Sequence, residues 1–331
     1  MPSQQINTSD PIDAVITWVD GSAPDHLAQR RAFMAKADAP LHENAVNPHR
    51  WGTSDEILYC LRSIEHHAPW LRTIWIVVAT DGPDLSGLSD AVRAKVRLVR
   101  HVEIFEGFEG ALPTFNSLAI ESVLWRIDGL SERFVYFNDD VFLTNALRPE
   151  DMFDGAKPVL RGGWEDYRHV VGNPALRADP AVFHTFVQIN AARLAGFGAE
   201  RLFAPAHVVH PMRRSILAEL AQLHGAELRN NLQHRFRDLS QYLPQGLHNH
   251  ACIAADIAVL RDGSDHVHIT SGQGVGGDLE IVRAHLKAAA KPENRFLCVN
   301  DLPQLEALLP DARKLIEAAV AVKAGPITPS S

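Results

Sequence analysis

The chain has 331 residues, of which 46% are hydrophobic and 22% charged, so it can bury a sizeable core and is not expected to be disordered. The formal net charge is −8 and there is no run of Lys or Arg, which argues against a nucleic-acid partner. We find neither an apolar stretch that could span a bilayer nor an N-terminal signal peptide, so we expect a cytoplasmic protein. The isolated Cys60, Cys252 and Cys298 predict buried, reduced thiols, and a cysteine metal site is not expected.

Buried strands and amphipathic helices alternate through the first half of the chain. Apolar runs predict strands at residues 13–19, 73–79, 96–102 and 133–137. Between them, helical spacing of apolar residues predicts helices over 53–67, near Ala91 and over 116–127. In the first of these helices Thr53 and Glu56 have the spacing of a capping box. This order of elements is typical of a mostly parallel sheet flanked by helices, so we predict an α/β fold.

The regularity of the sequence pattern divides the chain into regions. Residues 1–11 and 324–331 are polar or rich in Pro and Ser, and we expect both ends to be disordered. Residues 12–150 form the predicted α/β core. Residues 151–265 are less regular and rich in histidine, so we predict a helical or irregular region there. Residues 266–323 return to strands and helices, the last of them a helix that carries Leu305 to Ile316, and we predict that they complete the core.

A pair of carboxylates follows the predicted strand at 133–137. The segment FNDDVFL places Asn138, Asp139 and Asp140 at that strand's carboxyl end, where α/β sheets form their ligand crevice. Adjacent carboxylates repel each other unless a cation lies beside them, and a hard divalent ion such as Mg²⁺ or Mn²⁺ takes oxygen ligands. We predict Asp140 and the strand-end Asp301 as metal ligands, Asp139 as a further ligand or a catalytic loop residue, and Asn138 as a substrate contact. The alternative is that this segment only caps a turn.

The first predicted strand ends in the segment TWVDG, where nucleotides commonly bind in α/β sheets. We predict substrate contacts for all five of its residues: Thr17, Trp18, Val19, Asp20 and Gly21. A plain Asp-Gly turn is the alternative, and the indole ring can equally belong to the core.

Three further residues are predicted to contact the substrate. Arg62 lies in the middle of a predicted helix, opposite its apolar face, and could instead be a solvated charge. Thr114 and Asn116 stand before a predicted helix, whose free N-terminal amides suit phosphate or sugar oxygens. An ordinary helix cap is the alternative.

The segment HVVHPM carries His207 and His210 three residues apart. Pro211 and the two valines favour an extended segment over a helix, and spacing places no third ligand, so a zinc site is not expected. A histidine in an anionic crevice suits the role of general base, because its pKa lies near the operating pH. Both histidines are therefore catalytic candidates, and Arg213 is a candidate for binding phosphates.

The glycine-rich segment SGQGVGG places Gly272, Gly274 and Gly277 in a G-x-G-x-x-G pattern after a predicted strand. A dinucleotide site, a phosphate-contacting lid and an ordinary loop are all compatible with this pattern. The pattern alone does not distinguish among them.

Four blocks, IDAVITWVDGS, LPTFNSLAIESVLWRIDGLSERFVYFNDDVFL, PAHVVHPM and RFLCVND, together resemble the Stealth family. The resemblance is densest over residues 12–30, 50–145 and 203–220, with a short block near 295–302, and covers about half of the chain. Stealth proteins are bacterial capsule and exopolysaccharide phosphotransferases, related to the lysosomal GlcNAc-1-phosphotransferase of animals. The resemblance implies a GT-A-like, Rossmann-like core that binds a nucleotide sugar, with an added acceptor region at 151–265.

The resemblance also implies a reaction. A hexose-1-phosphate or HexNAc-1-phosphate would move from a UDP-sugar to a hydroxyl of a polysaccharide or oligosaccharide acceptor, with Mg²⁺ or Mn²⁺ as cofactor and UMP as product. It favours His207 as the base, because PAH is the best-matching step, whereas Arg213 stands where family members often have Asp. Two alternatives stay open: a glycosyltransferase that releases UDP, and a non-catalytic glycan-binding module. Peripheral association with inner-membrane capsule machinery and the oligomeric state also stay open.

Overall fold

The computed structural model describes residues 10–37, 40–47, 51–52, 55–270 and 278–320. Its strands are β1 (Ile12–Thr17), β2 (Ile74–Val78), β3 (Val96–Arg100), β4 (Arg133–Asn138), β5 (Val141–Leu143), β6 (Phe153–Asp154), β7 (Lys157–Glu165), β8 (Leu202–Pro205), β9 (His210–Arg213), β10 (Val259–Arg261), β11 (His266–Ile269) and β12 (Phe296–Val299).

The helices of the first half are α1 (Pro24–Ala35), α2 (Glu43–Val46), α3 (Glu56–His67), α4 (Asp90–Lys95), α5 (His101–Ile104), α6 (Ser117–Glu121) and α7 (Pro149–Met152). Those of the second half are α8 (Arg168–Val171), α9 (Phe183–Leu194), α10 (Arg214–Leu223), α11 (Gly225–Gln233), α12 (Pro244–Ala254), α13 (Leu279–Ala289), α14 (Leu302–Leu308) and α15 (Ala312–Val320).

The central sheet has the strand order β3-β2-β1-β4-β9. The first four strands are parallel, and β9 pairs antiparallel with β4 at the edge. Strands β1 and β4 are buried along almost their whole length, because helices cover both faces of the sheet. The predicted α/β class with a mostly parallel sheet is confirmed.

Two smaller sheets flank the central one. In the first, β5 pairs antiparallel with β12, which pairs parallel with β11. In the second, the order is β10-β7-β6, and β8 also pairs with β7. The region from 151 to 265 therefore contains more strand than the sequence predicted. Part of this additional strand structure depends on a glycine. A Cβ on Gly162 would lie 2.2 Å from the carbonyl oxygen of Ala204, so glycine lets β8 approach β7.

Two predicted helices are interrupted. The helix predicted over 116–127 ends at α6, where the hydroxyl of Ser122 donates to the carbonyl of Leu118 at 2.7 Å and competes with the helical ladder. The last predicted helix is split into α14 and α15 at Pro310, which cannot continue a helix.

One hydrophobic core joins the two ends of the chain. It contains buried side chains of β1, β2 and α3 together with those of β5, β12, α13 and α15, among them Tyr59, Phe142 and Phe296. The C-terminal segment therefore packs into the same core as the central sheet, through the small sheet rather than by joining the central one. The boundaries predicted at 150 and 266 stay predictions.

Several sequence-based expectations fall outside the described residues. They are Thr53, the glycines of 272–277 and the chain ends except for Asp10 and Pro11. All three cysteines are buried and free, as predicted. No helix in the described part of the chain combines the length and apolar character needed to cross a membrane.

Candidate active site at the carboxyl ends of the strands

The acid pair lies where the sequence predicted. Thr17 of β1 pairs with Asn138 of β4, so both strands end at the same level of the sheet. Asp139 and Asp140 form the turn that follows, and β5 begins directly after them. The tight connection between two buried strands therefore presents both carboxylates at the carboxyl end of the central sheet.

The C-terminal segment holds one of these carboxylates. The side-chain amide of Asn300 donates to Oδ2 of Asp140 at 2.6 Å, and the amide of Val299 donates to the carbonyl oxygen of Asp140 at 3.0 Å. The Oδ1 atom of Asn300 lies 2.7 Å from Nε2 of His268. Because the amide nitrogen of Asn300 already faces Asp140, its oxygen accepts from His268.

A cluster of three histidines includes one, His207, that lies close to this carboxylate. The ring of His207 stacks on His268 with centroids 4.7 Å apart, and His184 of α9 lies 6.5 Å from His207. Burial, assisted by the neighbouring His268, lowers the pKa of His207 to about 3. Burial and the neighbouring His207 likewise lower the pKa of His210, at the start of β9, to about 3. Both rings are neutral near pH 7 and can accept a proton, and a bound diphosphate would raise their pKa values.

The surroundings of Asp139 favour its neutral form unless a cation lies beside it. Burial raises the pKa of Asp139 well above its ordinary value, and the adjacent Asp140 and the nearby Glu56 raise it further. Carboxylate oxygens are the preferred ligands of Mg²⁺ and Mn²⁺, so the Asp139–Asp140 pair fits the predicted metal. Among the described residues, the ligand atoms of Asp140, His207 and Cys298 form a group within 4.8 Å of one another. Asp301, the other predicted ligand, is not part of that group.

Arg237 is a candidate site residue that the sequence analysis missed. Its guanidinium donates to Oδ1 of Asn44 and to Oγ of Ser117, each at 3.0 Å. Burial lowers the pKa of Arg237, while the negative charges of Glu121 and Asp140 act in the opposite direction, which places its charge near the crevice. The guanidinium nevertheless stays charged, because arginine is not deprotonated in proteins. No periodicity or spacing in the sequence connects this arginine with the acid pair.

A buried polar network lies under the end of β1. The hydroxyl of Tyr136 donates to Glu121 at 2.9 Å and therefore accepts from Oγ1 of Thr17, also at 2.9 Å. The amide of Gln245 donates to the other oxygen of Glu121 at 2.9 Å. This network fixes the side chain of Thr17 beside Asn138. Trp18 is partly buried against the main core.

The Asp-Gly step after β1 forms a turn. Oδ1 of Asp20 accepts from the amide of Ser22 at 2.9 Å and from its hydroxyl at 2.6 Å. A Cβ on Gly21 would lie 2.4 Å from the carbonyl oxygen of Trp51. The need for glycine at this position therefore comes from the Trp51 backbone, whereas Val19 and Asp20 remain partly exposed at the crevice.

The other predicted substrate contacts differ in their surroundings. Arg62 is only 8% exposed and donates to the carbonyl of Gly87 at 3.0 Å, so it is not the solvated charge of the alternative interpretation. Asn116 is the N-cap of α6, and its amide nitrogen donates to the carbonyls of His234 and Phe236 and to Gln241. Its Oδ1 accepts from the amide of Leu118 at 3.2 Å, which gives it the structural role of a helix cap. Thr114, beside it, is buried.

Arg213 lies away from the acid pair. It pairs with Arg133 at the start of β4, whereas His210 pairs with Tyr136 near the other end. Its side chain forms an ion pair with Glu132 at 3.0 Å. The structure thus brings the histidines of HVVHPM to the crevice but not the arginine. Successive residues of an extended strand are about 3.3 Å apart, so Arg213 lies about 10 Å along β9 from His210.

Comparisons with known proteins identify the family of this chain. Residues 10–38 match the model of Stealth protein CR1, conserved region 1, and residues 50–159 that of Stealth protein CR2, conserved region 2. An exopolysaccharide phosphotransferase of Streptomyces coelicolor is 34% identical over 92% of this chain and 49% of that protein. A capsular polysaccharide phosphotransferase, eps5J, of Streptococcus thermophilus is 31% identical over 52% of this chain and 77% of that protein. The chain belongs to the Stealth family, which confirms the resemblance seen in the sequence.

The chain spans about half the length of the first Streptomyces relative. Among solved structures, the galactosyltransferase LgtC in complex with donor and acceptor sugar analogs aligns over 95% of this chain and 98% of LgtC, with 10% identity and a TM-score of 0.45. Mouse xyloside xylosyltransferase 1 aligns over 88% of this chain and 98% of its own, with 11% identity and a TM-score of 0.42. Scores this low support no inference about function, and the fold class rests on the sheet topology above.

Proposed function

We propose that this chain is a metal-dependent sugar-1-phosphate transferase. It moves a hexose-1-phosphate or HexNAc-1-phosphate from a UDP-sugar to a hydroxyl of a capsule or exopolysaccharide acceptor and releases UMP. The observation that carries the proposal is the convergence of Asp139, Asp140 and His207 at one crevice, next to the partly buried charge of Arg237. The phosphotransferase names of the family relatives agree with it.

The donor side of the site handles negative charge. Asp139 and Asp140 would hold a divalent cation, which neutralises phosphate charge and aligns the phosphorus for attack. Arg237 adds a fixed positive charge that the metal does not supply. The nucleoside would lie along the end of β1, between the turn at Asp20 and the floor formed by Thr17.

The acceptor side of the site takes up the proton that the acceptor hydroxyl loses. His207, neutral and partly buried, would accept the proton of the acceptor hydroxyl as its oxygen forms a bond to the sugar-linked phosphorus. The phosphorus–oxygen bond to UMP breaks, and UMP leaves with the bonding electron pair. His210 and His184 border the same space, so they would contact the acceptor or the transferred phosphate.

The experiment is an incubation of the chain with a panel of nucleotide sugars and an oligosaccharide acceptor, followed by mass analysis. We expect acceptor-dependent consumption of one UDP-sugar with Mg²⁺ or Mn²⁺, and none with EDTA. Asp140→Asn should lower turnover by about 100-fold or more, because a bound metal contributes several kcal/mol to such a transition state. Asp154→Asn, at an exposed carboxylate of β6, is the matched control and should keep turnover. Full turnover in EDTA would contradict the metal assignment, and glycan binding without any nucleotide consumption would indicate a binding module.

A further inference from the structure

A thiol lies beside the acid pair. Strand β12 pairs with β5 so that Cys298 is opposite Val141, the residue after Asp140. The sulfur of Cys298, a carboxylate oxygen of Asp140 and a ring nitrogen of His207 all lie within 4.8 Å of one another. Neither a cysteine ligand nor a zinc site was expected from the sequence, because no spacing pattern connects these three residues.

We propose that Asp140, His207 and Cys298 form an inhibitory binding site for a thiophilic divalent cation such as Zn²⁺. One sulfur, one imidazole nitrogen and one carboxylate oxygen form a donor set that favours zinc over magnesium. Tetrahedral zinc with bonds of about 2.0–2.3 Å holds its ligand atoms about 3.5 Å apart. The three atoms therefore need only small movements to enclose the ion, and solvent or substrate would complete the fourth position.

Asn300 orients Asp140 and Cys298, and the ring of His268 packs on His207. The amide of Asn300 donates to Asp140 at 2.6 Å and also lies 3.4 Å from the sulfur of Cys298. His268 stacks on His207 and bonds to Asn300. Such outer-shell contacts are typical of metal sites, because they fix the direction of the ligand atoms.

Binding would inhibit, and this consequence rests on the proposed function. The ion would occupy the lone pair with which His207 accepts the acceptor proton, and it would compete for Asp140 with the catalytic cation. The Cys298 thiol gives its proton to the solvent as the sulfur–metal bond forms, so binding releases one proton.

Cobalt is the spectroscopic probe, because Co²⁺ occupies zinc sites and a thiolate–Co²⁺ bond absorbs in the near ultraviolet. Titration of the whole chain with Co²⁺ should produce this band, and one equivalent of Zn²⁺ should remove it. Cys298→Ser should abolish the band. It should also weaken Zn²⁺ binding by about 100-fold or more, because losing a ligand costs more than losing a residue that only orients one. The matched control is Cys252→Ser, since Cys252 is also buried and free but contacts His248 instead.

Three outcomes overturn the proposal. They are the absence of the band in the wild-type chain, a band that persists in Cys298→Ser, and loss of the band in Cys252→Ser. If Cys298→Ser does not fold, as judged by thermal melting, His207→Gln provides the second test and should weaken Zn²⁺ binding without removing the thiol. Turnover assays with saturating Mg²⁺ should show inhibition by Zn²⁺. Absence of the Co²⁺ band with normal turnover would contradict only the zinc site, and absence of turnover with a normal band would contradict only the proposed function.

Discussion

The side-chain amide of Asn300 donates a hydrogen bond of 2.6 Å to Asp140, across 160 residues of sequence. This bond joins the C-terminal small sheet to the turn that carries the acid pair. The position of the proposed metal ligand is therefore set by a strand that does not belong to the central sheet.

Asn300→Ala should weaken Mn²⁺ or Mg²⁺ binding by about 10–100-fold, the usual effect of losing a residue that orients a metal ligand. Binding can be measured by calorimetry in the presence of UDP. Asn145→Ala is the matched control, because Asn145 bonds to the carbonyls of Lys291 and Asn294 in the same segment without contacting the carboxylate. Equal metal affinity in the two folded variants would contradict this role for Asn300.

Arg237→Gln should weaken UDP-sugar binding by about 10–100-fold, since a hydrogen bond to a charged group is worth about 1.5–3 kcal/mol. The measurement is the dissociation constant of a non-hydrolysable UDP-sugar analogue. Arg235→Gln serves as the control, because Arg235 donates to the carbonyls of Gly110 and Leu112. Unchanged donor affinity in folded Arg237→Gln would remove this arginine from the donor site.

His207→Ala should lower turnover by about 10²–10⁴-fold, the usual effect of removing a positioned base. Donor affinity should change little, since the base contacts the acceptor hydroxyl. Steady-state kinetics with a saturating acceptor gives the first quantity and calorimetry the second. Wild-type turnover in the folded variant would exclude His207 as the base, and the same assay on His210→Ala would then decide whether His210 has that role.

Gly21→Ala should destabilise the fold by about 1–3 kcal/mol, the usual cost of overpacking, because the added methyl group meets the Trp51 carbonyl. The free energy of unfolding can be measured in urea. Gly163→Ala should have a much smaller effect, since a Cβ there meets no atom within 4 Å. A stable Gly21→Ala variant that has lost nucleotide affinity would instead support the interpretation that the nucleotide approaches this backbone directly.

The sequence predicted those parts of the site that depend on local order. An apolar run followed by Asn138, Asp139 and Asp140 indicates a strand end, and Pro211 with the preceding valines indicates an extended segment at His210. Both are observed, because side-chain sterics and burial determine them within a few residues.

Long-range contacts could not be predicted in this way. The register of β12 against β5, which brings Cys298 and Asn300 to Asp140, depends on packing between segments far apart in the chain. The same limit explains why Arg237 was missed. Arg213 was placed at the site from its closeness to His210 in sequence, but the antiparallel pairing of β9 with β4 directs it to the opposite end of the sheet.

The most direct test of the account is the fate of the β-phosphate of the donor. A UDP-sugar labelled with ³²P at the β-position is incubated with the chain, Mg²⁺ or Mn²⁺ and an oligosaccharide acceptor, and the products are separated. Transfer of a sugar 1-phosphate predicts that the label moves to the oligosaccharide and that unlabelled UMP is released. Label that remains in UDP while unlabelled sugar enters the oligosaccharide would contradict the account and show a glycosyltransferase.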